Sequence, residues 1–187
     1  MKTLLTFLFL LFSSFVFAED ISEFEIEGIS VGDSLLDYYS ENQILNMDIM
    51  EYKKQFNVLV FRTTGKYDLL QFTVKKIDKK YKIYALEGLV FKKINNCLSF
   101  KKNIVLEVSD ILGDEKNLTD FGKTKHNYDK SGKSYVYSNE YKFDDGSQIK
   151  ITCYHWSDEI RKKENWIDNF RITMNSYEFV EFNKNVF

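Results

Sequence analysis

Few residues of this chain could do chemistry. There are two cysteines, Cys97 and Cys153, and two histidines, His126 and His155. Zinc sites draw three or four ligands at recognisable local spacing, and no His-x-x-x-His or Cys-x-x-Cys pair occurs here. His126 reads as a loop histidine and His155 as a strand-end histidine, so no metal and no other cofactor is expected. No catalytic residue is assigned either. The string Gly28-Ile29-Ser30-Val31-Gly32 reads as an extended entry into a capped helix rather than as a nucleophile elbow. Ser131-Gly132-Lys133-Ser134 suggests a phosphate loop, but Asn127 stands where that loop needs its first glycine. Residues 127–132 are instead expected to form a turn built on Asp129 and Gly132. Asp144-Asp145-Gly146 lacks the ligand spacing of a calcium loop and also reads as a turn. Asn117-Leu118-Thr119 has the form of a glycosylation sequon.

The strand around Cys153 is more informative. Side chains alternate across a strand, so Ile149, Ile151, Cys153 and His155 share one face, and Lys150, Thr152, Tyr154 and Trp156 the other. The first face begins apolar and should meet the core. Cys97 lies seven residues before Ile104, on the stripe of a helix spanning about 97–112. Both cysteines then point into one helix–sheet interface, where a disulfide is expected. The second face is a candidate binding face made of Lys150, Tyr154 and Trp156, joined by Arg171 from the last strand. Tyr84 and Tyr135 are further candidates. Tyr, Trp and Arg are favoured at binding hot spots because they combine contact area with polar tips. The alternative is a solvated sheet face whose aromatics reflect an AT-rich codon bias.

The elements that must position these residues follow from patterning. Asp33 is placed to cap a short helix, and Ser40-x-x-Gln43 is a capping box for a second. Strands are expected at 57–63, 67–77 and 81–91. Ile104, Val105, Val108, Ile111 and Leu112 mark the amphipathic helix, with Gly113 placed to end it. Strands return at 118–125, 134–144, 147–157 and 166–174, with a charged connection at 158–165 and a short terminal helix or tail at 177–185. Adjacent strands joined by tight turns imply an antiparallel sheet. The expected fold is a two-layer α+β domain covered on one face by helices. Its order also admits a duplicated helix-plus-strands unit.

Residues 1–18 have the three parts of a secretory signal peptide. Lys2 is followed by an apolar run from Leu4 to Phe12, broken only by Thr6, and by Val16-Phe17-Ala18 before Glu19. That run is about half the roughly 20 residues a membrane-spanning helix needs. Residues 19–187 are therefore read as one exported domain, periplasmic or secreted, with no stable membrane insertion after cleavage. Export also favours the disulfide. The formal net charge of −2 offers no basic excess, so nucleic acid is not an expected partner.

The segment from Phe24 to Tyr38, together with Asp129-Lys130-Ser131-Gly132-Lys133-Ser134 and Cys153-Tyr154-His155-Trp156-Ser157, resembles uncharacterised small exported proteins of AT-rich marine alphaproteobacteria. More remotely, helices followed by antiparallel strands are similar to the folds of β-lactamase-inhibitor-like proteins and small outer-membrane-assembly lipoproteins. That similarity implies protein binding, although fold does not fix function. The expected function is a non-enzymatic protein-binding or interaction domain, its partner another envelope protein. Two alternatives stay open: binding of a small ligand or lipid in a helix–sheet groove, and a hydrolase.

Overall fold

The computed structural model describes residues 20–112 and 117–185. The leader assigned to residues 1–18 and the helix-ending Gly113 lie outside the described residues.

The apolar and β-branched runs form one eight-stranded sheet in the order β1-β2-β3-β4-β8-β7-β6-β5. The strands are β1 (Asp48–Tyr52), β2 (Phe56–Arg62), β3 (Leu69–Lys75), β4 (Ile83–Phe91), β5 (Leu118–Lys125), β6 (Tyr135–Lys142), β7 (Gln148–His155) and β8 (Asn169–Asn175). Every pairing is antiparallel. The helices are α1 (Glu41–Leu45), α2 (Ile94–Leu112), α3 (Asp158–Glu164) and α4 (Tyr177–Lys184). The expected antiparallel α+β fold is therefore present.

Three local expectations are corrected. The first block of strands has four members, because β1 adds an edge strand after α1. Ser34, not Asp33, caps the first short helix, a 3-10 turn over Leu35–Asp37. Asp33 instead accepts from the Ser30 N–H and the Tyr38 hydroxyl. The charged stretch after β7 is helix α3, capped by Ser157 and closed by Asn165 in the left-handed region.

The sheet has an internal half-turn symmetry in its pairing. Strands β1–β4 and β5–β8 are two meanders, and their last strands pair in a ladder centred on Gly88↔Ile172. Rotation about that point lays Leu70 on Ile151, Phe61 on Asn139 and Leu59 on Tyr137. The helices do not follow the symmetry. Helix α2 leaves β4 and packs on one face, over β7 and β8. Helix α4 leaves β8 and packs on the other.

The face under α2 carries the core. Ile104 and Val108 of α2 share one buried cluster with Phe72, Leu86, Ile151 and Phe170 of the sheet. Burying such a side chain contributes about 1.5–3 kcal/mol. The N-terminal segment adds Ile21, Phe24, Ile26, Val31 and Leu35 to the same cluster. Gly88 is glycine for lack of room, since a Cβ there would stand 2.6 Å from ring carbons of Tyr67. The disulfide Cys97–Cys153 joins the first turns of α2 to β7, with both cysteines fully buried and a Cα–Cα distance of 5.9 Å.

The opposite face is covered at one corner only, where α4 seats Phe179 against Phe56, Tyr84 and Ala85. Tyr84 thus belongs to this small cluster rather than to the candidate binding face. Tyr135 is also removed from that face, because it pairs with His155 on the α2 side, with its ring tilted against the imidazole at 4.5 Å.

Candidate functional site

Alternation along β7 and β8 places Lys150, Tyr154 and Arg171 on the face away from α2, and Trp156, just past β7, stacks on Tyr154 there. The structure brings three of them together. Tyr154 and Trp156 stack with ring centroids 5.6 Å apart, and the Arg171 guanidinium lies 4.9 Å over the Tyr154 ring. Arg171 also donates to Glu87 of β4 at 2.9 Å. Lys150 stands apart, paired with Glu140 on β6 at 3.1 Å and separated from Tyr154 by the buried Thr152.

Two residues that the sequence reading left out complete the arrangement. His126, just past β5, packs edge-on against Trp156 at 4.5 Å. Trp166, in the loop between α3 and β8, meets Trp156 at 4.6 Å. Together with Leu89 and Phe91 of β4, these rings line an open groove of about 400 Å³. Trp156 forms its floor at 5% exposure, whereas Trp166 rises from its edge at 37%. Two polar atoms at the floor, Asn169 Oδ1 and Arg171 Nε, are buried without a hydrogen-bond partner. Each such group costs about 1–3 kcal/mol, so a bound group that reaches one recovers part of that cost.

The groove wall is held by two carboxylates. Asp168 fixes the loop carrying Trp166: its Oδ1 accepts from the Trp156 N–H at 2.9 Å, and its Oδ2 accepts from Arg161 at 2.8 Å. His155 Nδ1 lies 3.0 Å from the same Oδ2. Asp129 fixes the β5–β6 loop. It accepts from the Ser131 N–H and from both the N–H and hydroxyl of Ser134, while Ser134 Oγ accepts from the Ser157 N–H. Those bonds from Ser131 and Ser134 hold the Asp129 carboxyl well below the usual carboxylate range. The 127–132 segment is thus a turn, with Gly132 at φ 70°. Asp144-Asp145-Gly146 is also a turn, in which Asp145 accepts from Ser147.

His155 therefore has the carboxylate neighbour a triad requires. Among the described residues, no hydroxyl or thiol hydrogen-bonds to it. Ser30 of the Gly-x-Ser-x-Gly string donates to the Phe24 carbonyl and is buried. The described residues contain no group of three or more His, Cys, Asp or Glu able to hold a metal ion. They also contain no helix long and apolar enough to cross a membrane.

Burial lowers the His126 pKa, and the Arg171 charge lowers it further, against a smaller opposing effect of Asp129. In the unfolded chain this imidazole takes its proton near pH 6.5, and in the folded groove only at lower pH. Between those two values the unfolded state holds more protons, so stability rises with pH. Melting temperature is expected to fall as pH drops below about 6.5, and to fall less in His126→Gln. Parallel curves for the two proteins between pH 7 and 5 would exclude this contribution.

The fold and site define an antiparallel α+β protein with an aromatic groove on its open sheet face. Comparison with models of protein families, with curated proteins and with solved structures gave no match.

Proposed function

We propose that this chain is an exported, non-enzymatic protein-binding domain, and that the groove around Trp156 and Trp166 is its contact surface. The observation that carries this reading is the clustering of both tryptophans of the chain, with Tyr154, His126 and Arg171, on a sheet face that α2 leaves open. Hot spots are enriched in these residue types and sit in pockets bounded by less critical contacts. The rim adds exposed apolar surface at Phe91, Tyr128 and Ile167, of the kind that marks interaction sites. The buried disulfide supports an oxidising address such as the periplasm, and an envelope protein is the corresponding partner.

Trp166→Ala tests the reading, with circular dichroism and the melting temperature checking that truncating its packing on Trp156 and Tyr128 leaves the fold intact. Affinity for the native partner is expected to fall by about 30-fold or more, the ~2 kcal/mol of a hot-spot residue. Immobilised wild-type and variant proteins, presented with envelope extract and then with each retained species in purified form, give the comparison. A partner bound equally by both proteins would place the contact surface elsewhere.

A further inference from the structure

The half-turn that lays one meander on the other gives the groove a counterpart. It carries Ala85 onto Asn169, and counting on along the strands, past the register shift at Thr73/Val74 and just beyond the paired ends, sets Tyr52 against His126, Phe56 against Ser134 and Lys75 against Trp156. In the first meander this corner is the seat of α4. Phe179 lies 5.6 Å from Tyr52 and 5.3 Å from Phe56, and Phe182 lies 4.9 Å from Phe56. Lys75 of the seat pairs with Glu178 in the first turn of α4. The chain leaving β8 thus covers its corner with a short amphipathic helix.

The chain leaving β4 does not. It becomes α2, which crosses to the other face and is pinned there by Cys97–Cys153. The corner equivalent to the α4 seat is left open, and that corner is the groove. Lys92 and Lys93 stand where a helix placed like α4 would begin, immediately after Phe91. Lys92 Nζ lies 4.8 Å over the ring of Phe100 on α2, whereas Lys93 is exposed, lines a hollow with Trp166 and Ile167 beside the groove, and is paired with no carboxylate among the described residues. A helix N-terminus carries positive partial charge, so one placed beside Lys93 is repelled unless its first turn is acidic.

We infer that the groove seats a short amphipathic helix of a partner protein, with two large apolar side chains at i, i+3 spacing on the aromatic floor and an acidic residue in its first turn facing Lys93. This rests on the protein-binding reading and adds the form and charge of the partner segment. Helix α4 supplies the pattern, with Phe179 and Phe182 three apart and Glu178 in the first turn.

The probe is therefore a lactam-bridged helical peptide with the sequence of residues 176–185, because so short a helix needs bracing in water. The peptide contains no tryptophan, and both tryptophans of the protein lie at the groove. Tryptophan emission is expected to change saturably on titration. Replacing both phenylalanines of the peptide by alanine is expected to weaken binding by at least about 10-fold. Lys93→Glu in the protein is expected to do the same, and exchanging the acidic residue of the peptide's first turn for lysine should restore binding.

Three results would overturn the inference: no saturable change up to about 1 mM peptide, amide shifts gathered around Phe56 and Tyr84 as the peptide displaces α4, or a concentration-dependent dimer lost in Trp166→Ala. The last would assign the seat to a second copy. If the peptide fails while a native partner still depends on Trp166, only the helical form falls. If partner capture is also indifferent to Trp166, the protein-binding reading falls with it.

Discussion

Removal of the Cys97–Cys153 bridge is expected to cost the folded chain about 4 kcal/mol. The bridge spans a sequence separation of 56 residues, and in the chain-entropy model closing a loop of that length restricts the unfolded state by this amount. Folded-state packing acts in the same direction. The bridged segment of α2 carries Phe100, whose ring meets Phe170 of β8 edge-on at 4.7 Å. A freed helix start would loosen that contact and the cover over β7. Cys97→Ala/Cys153→Ala is the variant to use, because two alanines leave no thiol to re-form a bridge. Urea unfolding of wild type, of reduced wild type and of the variant measures the difference. A midpoint and slope matching wild type would show that the bridge holds nothing the packing does not already hold.

Asp168→Ala is expected to destabilise the protein by about 2–4 kcal/mol, within the range for removing one partner of a buried ionic cluster after allowance for the partial exposure of Arg161. The substitution leaves the buried N–H of Trp156 without its acceptor and removes the closer of the two ion pairs of Arg161, leaving only the 3.9 Å contact with exposed Asp158. It also frees the loop that holds Trp166 over Trp156. Asp168→Asn keeps an acceptor for that N–H and is expected to cost less. Native-state tryptophan emission separates these effects from global stability, because Trp156 and Trp166 are its only sources. Asp168→Ala should shift it to the red while the far-ultraviolet circular dichroism is unchanged. Unaltered emission would show that the loop is held by other contacts.

The parts of the fold visible in the sequence were those written in a period. Ile104, Val108 and Leu112 mark α2, and the alternation from Ile149 to Trp156 assigns both faces of β7. That alternation also placed Cys153 toward the helix and Tyr154 and Trp156 away from it. Strand β1 escaped because its residues are exposed on both faces, apart from half-buried Tyr52. An edge strand of that kind needs no apolar alternation. Helix α3 escaped for a related reason, since Ile160 is its one buried residue. Its signals were in its ends instead: Ser157 as cap, Asp158 and Glu159 in the first turn, and three basic residues in the last.

The site was legible only along one strand. Tyr154 and Trp156 could be paired by alternation, and Arg171 joined them through the register of β7 and β8. His126 and Trp166 come from loops whose approach depends on Asp129 and Asp168, and local spacing carries no record of such contacts. The half-turn symmetry was equally hidden at the residue level. It lies in the pairing of strands, where Lys75 and Trp156 occupy equivalent places without sharing any chemistry.

That pairing also dictates an order of assembly. Each meander closes through neighbours in sequence, but the seam between β4 and β8 joins Gly88 to Ile172. Contacts so far apart form late, after the loop entropy between them has been overcome. Strand β4 is buried along most of its length in the finished protein. On a growing chain its outer edge stays unsatisfied until the last strand arrives. During that interval β4 is the segment on which a chaperone or a second nascent chain would pair.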